Sequence, residues 1–515
     1  LITWVNCWAS LVLYIKLPAV PSGLRMISHH SVVGAGPEMG TLSQVDTPLP
    51  YNQMPGNWKR GWLELYRFWR KDGFHNIHYH MMENFQRFGP IYSREALGIY
   101  DSVFIQLPED AATLFHVEGL HPERLRVPPW YEYRDYRNRR YGVLLKKGED
   151  WRSHRIALNR EVLSMSAMSR FLPLLDSVGQ DFVHRAHIQV ERSGRGKWTA
   201  DLTNELFRFA LESVCYVLYG QRLGLLQDYI DPESQQFIDS VSLMFNTTAP
   251  MLYLPPSLLR KINSSIWKDH VRAWDAIFTH ADRCIQQIYS SLRQQSDSTY
   301  SGVLSSLLLQ DQMPLEDIKA SVTELMAGGV DTTSMTLQWA MYELARTPSV
   351  QEKLRSEVIA ARDASGKDLT ALLKRIPLVK AALKETLRLH PVAITLQRYT
   401  QRDTVIRNYI IPQGTLVQVG LYAMGRNPDI FALPQRFSPE RWLGGGPTHF
   451  RGLGFGFGPR QCIGRRIAEI EMQLFLIHIL ENFKIEINRM VDVGTTFNLI
   501  LFPSKPIHLT LRPLK

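Results

Sequence analysis

The chain has 515 residues, 59 Lys plus Arg against 49 Asp plus Glu for a net charge of +10, 45% hydrophobic residues and four cysteines. That composition excludes a disulfide-stapled mini-protein, a disordered polyelectrolyte and a polytopic membrane protein. Cys7, Cys215, Cys284 and Cys462 form no C-x-x-C pair, which leaves neither a zinc knuckle nor a redox dithiol. The basic balance suits acidic partners or an anionic membrane surface. No Lys/Arg tract is interleaved with stacking aromatics, so no nucleic-acid partner is expected.

Residues 1–37 contain no Asp or Glu and carry Lys16, Arg25, His29 and His30. Their apolar run from Leu1 stops at Lys16, short of the ~20 residues that span a bilayer. A transit peptide, a truncated membrane anchor and an atypical start all remain open for residues 1–40, which are set apart from a single domain expected over 41–515. From Trp58 onward the hydrophobic periodicity is helical, with turns expected at Pro128-Pro129 and Pro255-Pro256. Strand-like alternation is confined to Ile91–Gln106, Thr404–Leu421 and Thr495–Leu501. The expected fold is therefore predominantly α with small β-sheets. Between Met251 and Leu259 an apolar stretch broken by prolines reads equally as a monotopic membrane patch or as a surface loop.

Between Pro314 and Pro348 there is no other proline, and Glu316 and Asp317 suit a helix N-terminus. This predicts one long helix crossing the domain. At its middle the adjacent Gly328 and Gly329 cost roughly 2 kcal/mol against alanine. One reading is a close helix crossing with Thr332 and Thr333 bonding back to carbonyls one turn earlier. The other is a groove where a flat ligand meets the backbone and the helix opens so that Asp331 and Thr332 relay protons. Farther on, Lys380 and Lys384 stand four apart and Glu385 and Arg388 three apart on one helical run closed by Pro391. An exposed pair of that kind is worth only about 0.3 kcal/mol.

Near the carboxyl end, Phe455-Gly456-Phe457-Gly458-Pro459-Arg460-Gln461-Cys462-Ile463-Gly464 precedes an amphipathic run from Arg465 to Phe483. Glycines flanking the cysteine permit a tight turn that presents its sulfur, and the following helix N-terminus is expected to lower the thiol pKa. The other cysteines read as small buried hydrophobes.

Phe-x-x-Gly-x-Arg-x-Cys-x-Gly, matched from Phe455 to Gly464, resembles the haem-thiolate signature of the cytochrome P450 superfamily. The Asp331-Thr332 pair, Glu385-x-x-Arg388, Phe437-Ser438-Pro439-Glu440-Arg441-Trp442 and Trp151-x-x-x-Arg155 follow that family's pattern in its order. The stretches Gly329–Trp339, Thr395–Tyr399 and Asp492–Ile500 are similar to the branch of mitochondrial members that cleaves the cholesterol side chain. The resemblance implies a single-domain fold with a long central helix over haem b. It makes Cys462 the axial metal ligand, and a thiolate there favours O–O cleavage. It makes Trp151, Arg155, Arg398 and Arg460 propionate partners, with Phe455 also beside the cofactor. It makes Asp331 and Thr332 the proton-delivery pair and Glu385, Arg388 and Arg441 a structural cluster.

By the same resemblance Trp130, Met244, Phe245, Thr395, Gln397, Leu499 and Ile500 contact substrate. The family often has Phe where Leu125 stands, which leaves the shape of the cavity mouth open. No Gly-rich dinucleotide fingerprint follows a strand. Electrons are thus expected from a ferredoxin of the adrenodoxin type with its NADPH-dependent reductase, docking on Lys380, Lys384, Arg465 and Arg466. The implied reaction converts cholesterol to pregnenolone in three oxygenations, by an enzyme held peripherally on the matrix side of the mitochondrial inner membrane. Two other readings are a different mitochondrial steroid or vitamin D hydroxylase and a non-catalytic haem-thiolate sensor or carrier. An intact Asp331-Thr332 pair argues against the last.

Overall fold

The computed structural model describes residues 47–57, 62–96, 100–228, 232–294, 302–310, 312–444, 450–488 and 492–514. The segment 1–40 and Cys7 lie outside them. Among the described residues the chain is mainly helical, and no helix is long and apolar enough to cross a membrane.

The predicted long helix is one element, Leu315–Arg346, of about 48 Å at 1.5 Å per residue. Pro314 precedes it, and Pro348 opens the next helix because a proline N–H is not needed at a first helical position. The central helix is apolar around most of its circumference, so it is sunk in the main core, with Met335, Leu337 and Trp339 fully buried. It stays regular through Gly328–Thr333 and does not open. Both glycines line a cavity, and they differ in what a side chain there would meet. A Cβ at Gly329 would lie 3.0 Å from Val214 on the helix Thr203–Tyr219, so this glycine permits a close helix crossing. A Cβ at Gly328 would meet nothing within 4 Å, because Gly328 faces a cavity.

The strands are β1 (Gly56–Asn57), β2 (Ile91–Ala96), β3 (Tyr100–Ile105), β4 (Trp198–Asp201), β5 (Thr395–Tyr399), β6 (Thr404–Ile406), β7 (Tyr409–Ile411), β8 (Leu416–Gly420), β9 (Phe483–Ile487), β10 (Thr495–Asn498), β11 (Ile500–Pro503) and β12 (His508–Pro513). They form a five-stranded sheet in the order β1-β2-β3-β8-β5, a β4-β12-β9 sheet and two hairpins, β6-β7 and β10-β11. Within the large sheet β5 runs antiparallel to β8 with Gln397 opposite Gln418, which fixes the side chains that share a face.

Several local expectations are corrected. The expected strand Thr495–Leu501 is a hairpin that reverses at Leu499, whose φ is 67°. The helix predicted to reach Phe483 ends at Asn482, and Phe483 opens β9. The two Pro-Pro pairs start helices, Pro128–Tyr136 and Pro256–Lys261, because a proline's fixed φ suits the first turn. Met251, Leu254 and Leu259 are buried, and Leu252 and Tyr253 line the cavity. Pro255 is exposed and Leu258 half-buried, so the stretch is in part core and cavity wall and in part surface.

Candidate active site

The cysteine loop is built by glycines in the left-handed region. Gly456 has φ 74° and Gly458 φ 71°, and a Cβ on Gly458 would fall 1.8 Å from Glu118 Oε1. The Cys462 N–H donates to Phe455 O at 2.8 Å and the Gln461 N–H to Gly458 O at 3.1 Å, closing the turn. The helix Arg465–Asn482 then begins, with Gly464 as its cap. Cys462 is exposed, but to the interior cavity it lines, for the surrounding protein desolvates the sulfur. Burial pushes the thiol pKa up, against the opposing pull of the Gly464 N–H and of Arg155, Arg124 and Arg465. The expected lowering by the helix end is thus present and outweighed by desolvation. Cys215 and Cys284 are buried thiols, pushed up by burial as ordinary core residues are.

The cavity has a volume of about 560 Å³. Four guanidiniums reach it, from Arg124, Arg155, Arg398 and Arg460. Arg155 donates to Asn159 Oδ1 and to Gln461 O, each at 2.8 Å, and so clamps the cysteine loop. Arg398 donates to Phe457 O at 3.0 Å and pairs with buried Glu118 at 2.5 Å. Arg460 donates to Pro122 O and Lys146 O, both at 3.0 Å, and sits 3.8 Å over the ring of buried Trp151. Burial, then repulsion from Arg124 and Arg398, pushes the Arg460 pKa down to about 9; burial pushes Arg155 down to about 10 despite the nearby Cys462. This is a cluster of cations short of counter-charge.

Asp331 is fully buried, and neither carboxylate oxygen has a hydrogen-bond partner. Burial alone pushes its pKa up to about 7. Thr332 stands on the cavity face and donates to Gly328 O at 2.8 Å, which leaves its oxygen lone pairs free to accept. An acid whose folded pKa lies above its unfolded value of about 3.9 favours the native state only while protonated. Stability therefore falls as pH rises from about 4 to about 7, by on the order of 4 kcal/mol from this one group. Asp331→Asn is expected to raise the melting temperature at pH 8 and to leave it near the wild-type value at pH 4, read by thermal denaturation at both values.

On the cavity side of β5 and β8, Gln397 donates to Thr395 Oγ1 and to Gln418 Oε1, each at 3.2 Å, and Thr395 donates to Gln418 Oε1 at 3.4 Å. This hydroxyl–amide trio faces walls formed by Met81, Phe104, Ile394, Leu396, Phe497 and Leu499. Leu125 also lines the cavity. Of the side chains expected at the substrate, Thr395, Gln397 and Leu499 are therefore together in the cavity. Trp130, Met244, Phe245 and Ile500 are not among its lining residues. Met244, Phe245 and Ile500 are buried in the main core, and Trp130 packs on that core with its indole N–H donating to Thr248 at 2.8 Å.

Glu385, fully buried, accepts from Arg388 Nε and Nη2 at 2.8 Å and from Arg441 Nε, Trp442 Nε1 and the Ser438 N–H at 2.9 Å. Arg388 also donates to Pro434 O at 2.6 Å and Arg436 O at 3.1 Å. This cluster ties the helix Pro377–Leu389 to the segment around 425–442. Leu387 of that helix rests on the cysteine loop, where a Cβ at Gly454 would come within 2.9 Å of it.

Behind the loop is a surface groove of about 360 Å³, where Lys380, Lys384, Arg465 and Arg466 meet Arg451. Glu469 accepts from Arg465 at 2.9 Å and from Arg466 at 3.5 Å. Leu387, Gly454, Phe455 and Gly456 line both groove and cavity, so one thickness of chain separates them. Arg465 lies 5.8 Å over the Phe455 ring.

Comparison with known proteins bears on this arrangement. The family model described as Cytochrome P450 matches residues 55–511. The chain belongs to the cytochrome P450 family. A relative from Oncorhynchus mykiss is 59% identical over all of this chain and 99% of its own length. Relatives from Sus scrofa and Homo sapiens are each 52% identical, covering 96% and 93% of this chain and 95% and 92% of their own. All three are named cholesterol side-chain cleavage enzyme, mitochondrial.

The cofactor of this P450 is haem. The residues present fit it: a cavity-facing thiol beside four guanidiniums short of counter-charge matches an iron centre with an anionic, propionate-bearing edge. Arg124, Gln418 and Glu118 escaped sequence reasoning. Arg124 stands in a loop more than 300 residues from the cysteine, and Gln418 reaches the trio only through the β5-β8 register. A charged residue between Pro122 and Pro128 was the available signal for Arg124.

Proposed function

We propose that this P450 is a mitochondrial monooxygenase converting cholesterol to pregnenolone in three successive oxygenations at one site, the last cleaving the bond between carbons 20 and 22. The observation that carries the reading is the single cavity that joins Cys462, the guanidinium cluster and Thr332 to an apolar volume with one hydroxyl–amide trio. A sterol has that pattern, a long apolar body with one hydroxyl, and Thr395, Gln397 and Gln418 can bind the hydroxyl directly or through water. The full-length likeness to relatives of that name supports the same substrate.

Cys462 is the residue to ligate iron, with Arg124, Arg155, Arg398, Arg460 and Trp151 around the propionates and Phe455 beside the ring. When bound, haem supplies dioxygen activation, aided by electron density from the thiolate. Thr332 holds a water on the cavity face. Asp331, whose pKa burial raises to near neutrality, is fully buried next to Thr332 and is not among the cavity-lining residues, so it passes a proton to that water only once its side chain turns toward the cavity face. Each step uses one dioxygen, two electrons and two protons: the first two each put one oxygen atom into the sterol as a hydroxyl and the other into water, and the third oxidises the resulting 20,22-diol to a ketone and an aldehyde with release of two waters. Thr332→Ala is expected to lower product formed per electron roughly tenfold, with the missing electrons recovered as hydrogen peroxide; unchanged coupling would remove Thr332 from the relay.

Electrons come from an acidic ferredoxin that docks in the groove of Lys380, Lys384, Arg465 and Arg466, one loop away from Cys462. Lys380→Gln with Lys384→Gln is expected to raise the KM for ferredoxin about tenfold and flatten its salt dependence, with kcat at saturating ferredoxin retained. The enzyme sits peripherally on the matrix side of the inner membrane, where a lipid substrate is at hand and a net charge of +10 suits an anionic surface. The deciding experiment supplies the haem-loaded chain with cholesterol, ferredoxin and its NADPH-dependent reductase. Pregnenolone and a branched six-carbon aldehyde are the expected products; hydroxysterol alone would overturn the cleavage reading.

A further inference from the structure

The β10-β11 hairpin carries Phe497 and Leu499 into the cavity, yet it is a two-stranded ribbon, which has little stability of its own. Its tip is also strained. Leu499 holds a left-handed φ of 67°, a conformation unfavourable for a non-glycine residue that persists where the surroundings over-determine it. Backbone bonds supply part of the restraint: the Phe497 N–H donates to His75 O at 2.9 Å and the Leu501 N–H to Val392 O at 3.0 Å.

The rest converges on one atom at the base of the ribbon. Thr495 Oγ1 lies 2.8 Å from His78 Nε2, 2.9 Å from Tyr79 OH and 3.3 Å from Tyr422 OH. Tyr79 OH also accepts from the Thr495 N–H at 3.4 Å. A hydroxyl offers one donated and two accepted bonds, so these three partners use its full capacity. His78, Tyr422 and Thr495 are buried. Burial, helped by Arg426, pushes the His78 pKa down to about 3, so this contact is neutral at any working pH.

The partners belong to other walls of the same cavity. His78 and Tyr79 lie on the helix Ile77–Phe88, which contributes Ile77 and Met81. Tyr422 lies on the short helix Leu421–Met424 that continues β8, the strand of Gln418. These two elements approach closely, since a Cβ at Gly420 would fall 2.6 Å from Met81 Sδ.

We propose that Thr495 is a positioning residue for substrate: its hydroxyl locks the hairpin, the Ile77–Phe88 helix and the end of β8 into one register, which sets how far Leu499 and Phe497 project toward the sterol. This rests on the reading that the cavity binds cholesterol. Thr495→Val keeps the shape and β-propensity but removes the hydroxyl that the three partners share, whereas Thr495→Ser keeps it.

The test uses the haem-loaded enzyme with cholesterol as the probe. All variants are expected to retain the thiolate-type Soret band of the reduced carbonyl complex. The cholesterol-induced Soret shift is expected at about tenfold higher concentration in Thr495→Val and within about twofold of wild type in Thr495→Ser. Tyr79→Phe, at a half-exposed position that tolerates change, is expected to fall between them. Hydrogen exchange at the Phe497 and Leu501 amides, which needs no substrate, is expected to quicken about tenfold in Thr495→Val.

Unchanged binding and exchange in Thr495→Val overturn the proposal, as does a Thr495→Ser variant as impaired as the valine. Should Thr495→Val lose its haem, Tyr79→Phe decides, and wild-type affinity there counts against the lock. A wild-type enzyme that gives no shift with cholesterol refutes the sterol reading instead, and the exchange measurement then judges Thr495 alone.

Discussion

Cys462→Ser is expected to abolish turnover and remove the thiolate-type Soret band of the reduced carbonyl complex, while far-ultraviolet circular dichroism stays at the wild-type level. The separation follows from what holds the loop. The Cys462 N–H to Phe455 O bond, the left-handed glycines at 456 and 458 and the Arg155 bond to Gln461 O are all made by backbone or by other side chains. None needs sulfur. Serine fits the same turn, but its hydroxyl ionises far above a thiol, and the surrounding groups that favour an anion, the Gly464 N–H with Arg155, Arg124 and Arg465, already fail to offset burial for the more acidic cysteine. A neutral, hard oxygen is a poor iron ligand and donates little density. Retention of a thiolate-type band in the serine variant would show that another group carries the metal.

Glu385→Gln is expected to fail at an earlier stage, with little folded, haem-loaded protein recovered. The carboxylate takes five hydrogen bonds from four residues at 2.8–2.9 Å, and both it and Arg388 are buried. Removing its charge leaves the Arg388 guanidinium without its buried counter-ion, at a cost of about 3–5 kcal/mol, a large share of a domain's net stability. The amide also brings a donor group where only donors point inward. The consequence reaches the site because Leu387, between Glu385 and Arg388 in the chain, packs against Gly454 of the cysteine loop. Urea unfolding with haem content measured in parallel checks this: loss of stability and of haem should occur together, in contrast to Cys462→Ser. Near-normal stability in Glu385→Gln would reduce the cluster to an incidental ion pair.

The cysteine loop, the central helix and the Glu385–Arg388 pair were legible because each is a short-range pattern. Residues three or four apart on a helix share a face whatever surrounds them, and a glycine-flanked cysteine before a helix specifies its own turn. The β4-β12-β9 sheet was missed because β4 lies about 300 residues before β12, its partner, and these short strands gain stability only from each other. The reversal at Leu499 was hidden for a different reason: leucine is a poor choice for a left-handed φ, and the hairpin's external tethers enforce it. Gly328 and Gly329 looked alike in sequence and both line the cavity, and only their neighbours place Gly329 also at the crossing with Val214.

The order of residues by itself determined the chemistry available to this protein, a thiol at a tight turn, an acid beside an alcohol on a long helix, and cations spaced along the chain, since those properties belong to side chains and to backbone within a few positions. The tertiary structure alone decided which of these share a cavity, that Asp331 is buried without a partner and so poised near neutral pH, and that Arg124 and Gln418 join the site while Trp130, Met244, Phe245 and Ile500 stand outside its lining. Desolvation and through-space contact depend on what folds against a residue, and neither is written in its neighbours along the chain.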